Sequence, residues 1–270
     1  MSWERWTMEV ELPKTRHSRP PKPGALMLLE THYPESRFGG FTDLDGTITF
    51  YARVNELIPP SGVVLDVGCG RGASAEDPVA IRRELRSLRV RGPERVIGLD
   101  VDPNAAGNPL LDEFVHIVPG DPWPIEDGLV HVLVSDNTLE HISEPDRFFA
   151  EASRVLVPGG HICLRTPNAW GYVAVLSRLV PNRYHSLVTA MAQPHRREED
   201  VFPTYYRCNT VPLLKAALSK HGFNGIAYGY EAAPSYLAFS SLAYRLGVLY
   251  GRHAPGLLKP AIFVFGKKVG

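Results

Sequence analysis

This 270-residue sequence contains few cysteines and has no formal net charge, and each of these features excludes a class of protein. The three cysteines, Cys69, Cys163 and Cys208, are odd in number and widely spaced, which predicts neither a disulfide framework nor a structural zinc site. The 29 lysines and arginines balance the 29 aspartates and glutamates. Electrostatic binding to nucleic acid or anionic lipid over a broad surface needs an excess of positive charge. We therefore expect a reduced, cytoplasmic setting and no nucleic acid among the partners.

Long hydrophobic runs are also lacking. Residues 1–23 are rich in Arg, Lys and Pro and contain no apolar run of the kind a signal peptide needs. The most apolar stretch, residues 232–249, is interrupted by Pro234 and Arg245, so we expect no transmembrane span. That stretch is either ordinary core or an amphipathic interface, for a second subunit in a homodimer or for a lipid-linked glycan.

Short apolar runs alternate with helical patterns from residue 63 onward. Strands are predicted at residues 63–67, 95–100, 114–118, 130–135, 161–165, 225–230 and 261–267, and helices at 79–89, 145–156 and 213–221. Ser143 is the expected cap of the second helix, and Pro145 suits its first turn. The alternation predicts an α/β fold whose mostly parallel sheet has helices on both faces.

One domain is expected, in four parts. Residues 1–60 form an N-terminal arm and lid, and residues 61–168 form a ligand-binding core. Residues 169–212 interrupt the alternation as an insertion, and residues 213–270 complete the sheet.

The segment VLDVGCGRGAS, residues 64–74, is the most informative part of the chain. Its glycines, Gly68, Gly70 and Gly72, let the backbone turn sharply after a strand and approach a ligand closely. The same spacing fits a dinucleotide-binding fingerprint, and a glycine turn without any ligand also stays open. Asp66 disfavours an NAD enzyme, because a carboxylate at the strand end repels a pyrophosphate and suits an ammonium group.

Acidic residues follow the next two strands. Asp100 ends the second strand, where an acid in a doubly wound fold accepts hydrogen bonds from ribose hydroxyls. Asp121 follows the third strand and is placed to accept from an adenine amino group. All these acids lie at carboxyl ends of successive strands, where open parallel sheets bind ligands.

This succession resembles the class I S-adenosylmethionine-dependent methyltransferases, the family that includes the ubiquinone-type O-methyltransferases, over residues 63–168. The resemblance implies a Rossmann-like sheet of seven strands, mostly parallel, with the last strand antiparallel. It also implies that the glycine loop cradles the methionine part of the cofactor, that the second-strand acid binds ribose, and that the Gly-Asp pair after the third strand meets adenine. The cofactor-binding residues so implied are Asp66, Gly68, Cys69, Gly70, Gly72, Asp100, Val101, Gly120, Asp121, Pro122 and Asn137.

Glu140 and His141 follow the fourth strand, near the position at which the family places the methyl acceptor. A histidine has the ordinary pKa of a base that works near pH 7, so His141 is a candidate general base with Glu140 beside it. In ubiquinone-type relatives a Glu-x-x-Glu-His run here holds a divalent cation. Asn137 stands at the first Glu position, and the adjacent Asp136 would replace the lost carboxylate, so Asp136, Glu140 and His141 are candidate ligands of Mg²⁺ or Mn²⁺. A purely structural pairing of Glu140 stays open.

Mixed charges and aromatic side chains follow the fifth strand, a combination that suits a polyhydroxylated acceptor. The predicted acceptor-binding residues are His195, Arg196, Glu198, Glu199, Tyr205 and Tyr206, although an ordinary solvated loop has the same composition. Tyr51 and Arg53 are expected to face the cofactor from the N-terminal lid.

The sequences of residues 45–54 and 195–202 resemble those of bacterial methyltransferases of glycan assembly, including the actinobacterial enzymes that methylate mannose polysaccharides. The resemblance implies O-methylation of a sugar or oligosaccharide hydroxyl in polysaccharide biosynthesis. The alternatives are an aromatic or quinone-like small-molecule acceptor, and a non-catalytic module that only binds S-adenosylmethionine.

Overall fold

A seven-stranded sheet organises the computed structural model, which describes residues 23–179 and 203–270. The strands are β1 (Val63–Val67), β2 (Arg95–Asp100), β3 (Glu113–His116), β4 (Val130–Asp136), β5 (Leu156–Pro167), β6 (Phe223–Tyr230) and β7 (Ala261–Lys268). Their order across the sheet is β3-β2-β1-β4-β5-β7-β6. The first five strands run parallel, and β7 is antiparallel to both β5 and β6. The predicted fold class, including the antiparallel last strand, is confirmed.

Helices cover both faces of this sheet. In the described ranges the α-helices are α1 (Pro23–His32), α2 (Gly46–Leu57), α3 (Ala80–Arg86), α4 (Pro145–Val155), α5 (Tyr172–Leu179), α6 (Val211–Lys220) and α7 (Ser241–His253). Successive strand residues point to opposite faces, so Val64 and Val132 pack against α2 and α3, whereas Leu65 and Leu133 pack against α4 and α6. Two apolar layers therefore hold the parallel strands rigidly and fix where their carboxyl ends lie.

Two predicted boundaries differ from the structure at α4. The helix begins at Pro145 as expected, but Glu144 rather than Ser143 is its N-cap residue, and no side chain caps it. The helix ends at Val155, and the backbone of Leu156 is already extended, so the Pro-Gly-Gly run after it lies within β5 instead of forming a separate turn. The earlier strand start follows from pairing, because Leu156 is the partner of Val130 across a register shift in β4.

None of the helices in residues 23–179 and 203–270 has the length and apolar character needed to cross a membrane.

Candidate cofactor and acceptor site

The glycine loop after β1 is tight on one side and open on the other. Gly68 and Gly72 both have positive φ, and a Cβ on Gly68 would lie only 2.1 Å from Oγ1 of Thr138. A Cβ on Gly72 would lie 2.5 Å from Oδ1 of Asn108, so neither position accepts a side chain without rearrangement. Gly70 also has positive φ, but a Cβ there would meet no heavy atom within 4 Å. The loop therefore leaves room for a ligand beside Gly70.

Asp100 holds this loop in place from the end of β2. Its Oδ2 accepts from the Gly70 amide at 2.8 Å, its Oδ1 accepts from the Asp102 amide at 2.9 Å, and the residue is 9% exposed. A carboxylate has about four lone-pair positions, so Asp100 can still accept hydrogen bonds from a ligand's hydroxyl groups. Asn108, which the sequence analysis did not identify, donates from Nδ2 to the carbonyls of Cys69 and Gly70 at 3.1 Å each.

Asp66 is an acid in surroundings short of positive charge. Burial, together with the nearby carboxylates of Asp136 and Asp100, raises the pKa of Asp66 to about 7, and Arg86 opposes the shift. An ammonium group beside the carboxylate would supply the missing charge. The donor set therefore fits the amino-acid end of S-adenosylmethionine.

The residues expected near adenine lie at the same edge of the sheet. Val101 directly follows β2 and is 37% exposed, and its carbonyl contacts Nε2 of His116 at 3.1 Å. Gly120 has a φ of +93°, and the Asp121 amide donates to the Val118 carbonyl to close the turn. The adjacent Pro122 and the Asp121 carboxylate are exposed, so this end of the edge is open to a ligand.

Asp136, at the end of β4, is the centre of a buried ionic cluster. Arg165 donates from Nε to Oδ1 at 2.6 Å and from Nη2 to Oδ2 at 2.5 Å, and the Tyr51 hydroxyl donates to Oδ2 at 3.1 Å. Burial alone would raise the pKa of Asp136, but Arg165 outweighs it and holds that pKa below its ordinary value. Asn137, which has a φ of +54°, donates from Nδ2 to Oδ1 of Asp136, and its backbone amide donates to the Arg165 carbonyl.

The predicted metal site of Asp136, Glu140 and His141 is wrong. The described residues contain no group of three His, Cys, Asp or Glu side chains that could hold a metal ion. The reason is that the Arg165 guanidinium occupies both carboxylate oxygens of Asp136 and neutralises its charge. These residues therefore do not fit a divalent cation, and Mg²⁺ or Mn²⁺ has no part in the chemistry derived below.

Glu140 and His141 lie together on the short turn after β4. Thr166 donates from Oγ1 to Oε2 of Glu140 at 3.1 Å, and Asn209 donates from Nδ2 to that hydroxyl at 2.6 Å. Nδ1 of His141 lies 2.8 Å from the Pro203 carbonyl, which can only accept, so Nδ1 carries the proton in the neutral ring. Nε2 keeps its lone pair and lies 4.0 Å from Oε1 of Glu140. The neutral imidazole is thus held in the tautomer that accepts a proton at Nε2.

The two predicted acceptor tyrosines reach the same turn. The amides of Tyr205 and Tyr206 both donate to the Glu140 carbonyl, at 2.7 and 3.2 Å, and the Tyr205 side chain is 47% exposed. The other predicted acceptor residues lie outside the described residues; they are His195, Arg196, Glu198 and Glu199.

Of the two residues expected to face the cofactor from the lid, one reaches the ionic cluster. Tyr51 on α2 is 4% exposed and reaches the ionic cluster through its hydroxyl. Arg53 is exposed and donates to the Thr49 carbonyl one turn earlier in its own helix. Residues 51 and 53 lie about 200° apart around a helix, so both cannot point into one pocket.

Arg165, Thr166 and Asn209 were missed by the sequence analysis. Arg165 and Thr166 lie at the carboxyl end of β5. Open parallel sheets bind ligands at the carboxyl ends of their strands, and that rule predicts a functional role for these two residues as well. No sequence signal places Asn209 against Thr166, because 43 residues separate the two.

The family comparison matches the part of the chain that carries this site. Residues 65–164 match the family model described as a methyltransferase domain.

Two relatives are each similar to part of this chain. A protein of Mycolicibacterium smegmatis named as a probable S-adenosylmethionine-dependent methyltransferase is 33% identical over 112 residues, which are 39% of this chain and 38% of that protein. An uncharacterized 37.1 kDa protein in a transposon of Streptomyces fradiae is 32% identical over 122 residues, 40% of this chain and 31% of that protein. The chain thus matches about a third of the length of these relatives.

A solved structure shares the fold. The geranyl diphosphate C-methyltransferase of Streptomyces coelicolor superposes with a TM-score of 0.51 at 17% identity, covering 82% of this chain and 75% of that chain. That structure was solved with Mg²⁺, a geranyl diphosphate analogue and S-adenosylhomocysteine. The fold predicted for a class I methyltransferase core is confirmed, and the residues that match the family model lie in the part of the sheet that carries the site.

Proposed function

We propose that this protein is an S-adenosylmethionine-dependent O-methyltransferase that acts on a hydroxyl group of a sugar or oligosaccharide. One observation carries the choice of O-methylation: the Pro203 carbonyl holds His141 in the tautomer that accepts a proton at Nε2, beside Glu140 and at the carboxyl edge of the sheet. A hydroxyl acceptor needs such a base, because it must lose its proton as the new bond forms.

The cofactor is held by the acids at the strand ends. S-adenosylmethionine, when bound, supplies an electrophilic methyl group on a positively charged sulfur. Asp66 binds the ammonium group, Asp100 accepts from the ribose hydroxyls, and Asp121 accepts from the adenine amino group. Gly70 lets the backbone approach the bound molecule, since no atom of the described residues fills that side of the loop.

His141 and Glu140 handle the acceptor's proton. The acceptor hydroxyl would donate to Nε2 of His141, which would take its proton as the bound cofactor supplies the methyl group. The Glu140 carboxylate, 4.0 Å from Nε2, stabilises the imidazolium that forms. Thr166 and Asn209 keep that carboxylate in place through the two hydrogen bonds behind it. Positioning of this kind and proton removal by a base each lower the barrier.

The choice of a sugar rests on the surroundings of the base. The half-exposed Tyr205 ring beside Glu140 offers a flat apolar surface of the kind that covers the C–H face of a sugar. The sequence of residues 195–199 adds charged side chains of the kind that bind hydroxyl groups. The same ring would also stack on an aromatic or quinone-like acceptor, which remains the alternative.

Calorimetry and a methyl-transfer assay test this proposal. S-adenosylhomocysteine is first titrated into the protein, and transfer from S-adenosylmethionine is then followed by mass spectrometry on sugars, oligosaccharides, phenols, quinols and prenyl diphosphates. We expect a mass gain of one methyl group on a carbohydrate. Transfer to a phenol or quinol alone would overturn the sugar assignment, and cofactor binding without transfer to any acceptor would favour the non-catalytic module.

A matched pair of histidine variants tests the base. His141→Gln is expected to lower turnover by about 10²- to 10⁴-fold, the range for a general base, and to leave S-adenosylhomocysteine affinity unchanged. His221→Gln is the control, because His221 pairs with Asp146 at the end of α6 and, within the described residues, forms no hydrogen bond or ion pair with His141 or Glu140. Full activity in His141→Gln would refute the proposed role and move the search for the base to the 195–200 segment.

A further inference from the structure

A polar groove of about 430 Å³ lies where the segments after α1 and before α2 meet the end of β6 and the end of α7. Its charged lining consists of one guanidinium and three carboxylates, which belong to Arg252, Glu35, Asp43 and Glu231. Within the described residues, the side chains of Arg252 and Asp43 form no hydrogen bond or ion pair. The groove therefore offers a donor and an acceptor that no described protein group uses.

A buried hydroxyl belongs to the same groove. Tyr33 lines the groove and is only 4% exposed, yet its hydroxyl has no hydrogen-bond partner in the part of the chain that the structure describes. Burial and the three groove carboxylates raise the pKa of Tyr33, and Arg252 opposes the shift, so this hydroxyl lies within electrostatic reach of the groove's charges. A buried hydroxyl without a partner is unfavourable, and a ligand in the groove would supply the partner.

The groove lies at the edge of the sheet that carries the candidate site. Glu231 directly follows β6, and β6 runs parallel to β5 because both are antiparallel to β7. Thr47, in the first turn of α2, accepts from Nη1 of Arg165 on β5 at 2.9 Å. Thr49, in the same turn, accepts from the Tyr230 hydroxyl at the end of β6 at 2.9 Å. The start of α2 thus connects the ionic cluster to the groove.

The unused groups of the groove favour a ligand rich in hydroxyl groups. A carboxylate only accepts hydrogen bonds and a guanidinium only donates them, whereas a tyrosine hydroxyl does both. Each hydroxyl of a sugar can donate to Asp43 or accept from Arg252, so one sugar unit can satisfy both and Tyr33 as well. An ammonium ligand would meet the Arg252 charge, and a carboxylate ligand would meet three acids. No group of described side chains there could hold a metal ion.

We propose that this groove binds a sugar unit of the acceptor that is remote from the hydroxyl being methylated. β6 is the third strand from β4, so the groove and the turn that carries His141 are about 14 Å apart across the sheet. A single sugar unit does not span that distance. The inference rests on the proposed carbohydrate acceptor and adds that this acceptor is an oligosaccharide, whose remote unit contributes affinity and takes no part in the chemistry.

Ligand-detected NMR and calorimetry on the full chain test the groove without depending on turnover. Glucose, mannose, galactose and a linear tetrasaccharide of each sugar are titrated into the protein. At least one tetrasaccharide is expected to bind more tightly than its monosaccharide. Tyr33→Phe should weaken tetrasaccharide binding about fivefold and Arg252→Gln about tenfold, the effects of losing a neutral and a charged hydrogen bond.

Tyr244→Phe is the matched control for Tyr33→Phe. The Tyr244 hydroxyl is also buried without a partner among the described residues, and its side chain packs in the same apolar cluster as Tyr33, but Tyr244 does not line the groove. Neither variant should unfold at a lower temperature than the wild type, because each loses a hydroxyl that has no described partner. Only Tyr33→Phe should lose affinity for the tetrasaccharide.

Kinetics separate this proposal from the proposed function. Tyr33→Phe and Arg252→Gln should raise the KM for the tetrasaccharide about fivefold or more, with kcat and the monosaccharide KM unchanged. The groove assignment is overturned if no tetrasaccharide binds, if both groove variants bind it as the wild type does, or if Tyr244→Phe loses as much affinity as Tyr33→Phe. Tetrasaccharide binding that depends on Tyr33 and Arg252, without methyl transfer to any carbohydrate, would support the groove and overturn the proposed activity.

Discussion

Replacing Asp66 with Asn should make the protein more stable and a poorer cofactor binder at the same time. Burial and two neighbouring carboxylates raise the pKa of Asp66 to about 7, whereas an aspartate in the unfolded chain has a pKa of about 3.9. The folded protein thus binds a proton more tightly at this site than the unfolded chain does. Asn has nearly the same shape as the protonated acid and never acquires the charge.

The sign and size of the stability effect follow from this pKa difference. Below about pH 4 the carboxyl group is protonated in both states, so the substitution changes little. Between about pH 4 and pH 7 the unfolded state ionises first, and wild-type stability falls as pH rises. Three pKa units correspond to about 4 kcal/mol at pH 8, which is an upper limit because water partly reaches the carboxyl group. We expect Asp66→Asn to gain about 1–4 kcal/mol at pH 8.

Binding should change in the opposite direction. The cofactor's ammonium group requires the ionised form of Asp66, so wild-type affinity for S-adenosylhomocysteine should rise about eightfold from pH 6 to pH 7.5. Asp66→Asn should lose that pH dependence and bind about 10- to 100-fold more weakly at pH 7.5, the effect of losing a hydrogen bond to a charged group.

Urea unfolding of the free protein at pH 4, 6 and 8, with calorimetry at pH 6 and 7.5, measures both quantities. A stability loss in Asp66→Asn at pH 8 would show that the carboxylate is already compensated in the free protein. Wild-type affinity that is equal at the two pH values would show that Asp66 does not face the ammonium group. Either result refutes the reasoning.

Three further outcomes are expected. Asp100→Ala should weaken S-adenosylhomocysteine binding by about 1–3 kcal/mol. It should also lower thermal stability, because Asp100 accepts a hydrogen bond from the Gly70 amide. Calorimetry that shows unchanged affinity would refute the ribose assignment. Thr166→Val should lower turnover about tenfold and leave cofactor affinity unchanged, because the only polar group lost is the hydroxyl that binds Glu140. Thr166→Ser keeps a hydroxyl and should restore turnover. Equal turnover rates in the two variants would argue against this positioning role. Methyl transfer should persist after treatment with EDTA and dialysis, because Arg165 occupies the carboxylate of Asp136, and recovery of activity only with Mg²⁺ would contradict this.

The sheet and the cofactor end of the site could be predicted because they depend on local patterns. A buried parallel strand followed by Gly, as in Val63–Val67, is recognisable from a few residues, and the acids at Asp66 and Asp100 are part of the same short runs. β1 and β2 have the predicted bounds. The insertion near residue 200 offered no such pattern, and four of the predicted acceptor residues lie there.

The ionic cluster could not be predicted because its members come from distant parts of the chain. Tyr51 and Asp136 are 85 residues apart, and Arg165 is a further 29 residues on, so only the folded sheet and α2 bring them together. The metal hypothesis was wrong for the same reason. In the sequence, Asp136 lies close to Glu140 and His141 and was predicted to be a metal ligand. In the structure, the guanidinium of Arg165 on the neighbouring strand β5 binds the Asp136 carboxylate.

The position of β7 has a consequence for folding. β6 precedes β7 in the chain, yet β7 lies between β6 and β5, and the connection from Tyr230 to Ala261 contains α7. Until β7 has formed, β5 therefore exposes seven residues of unpaired backbone, 161–167, as an aggregation-prone edge. A fragment cut at residues 65–164 would keep that edge permanently and would also lose α2 with its Tyr51 hydroxyl. The stretch that resembles other methyltransferases in sequence is thus shorter than the stretch that must fold together.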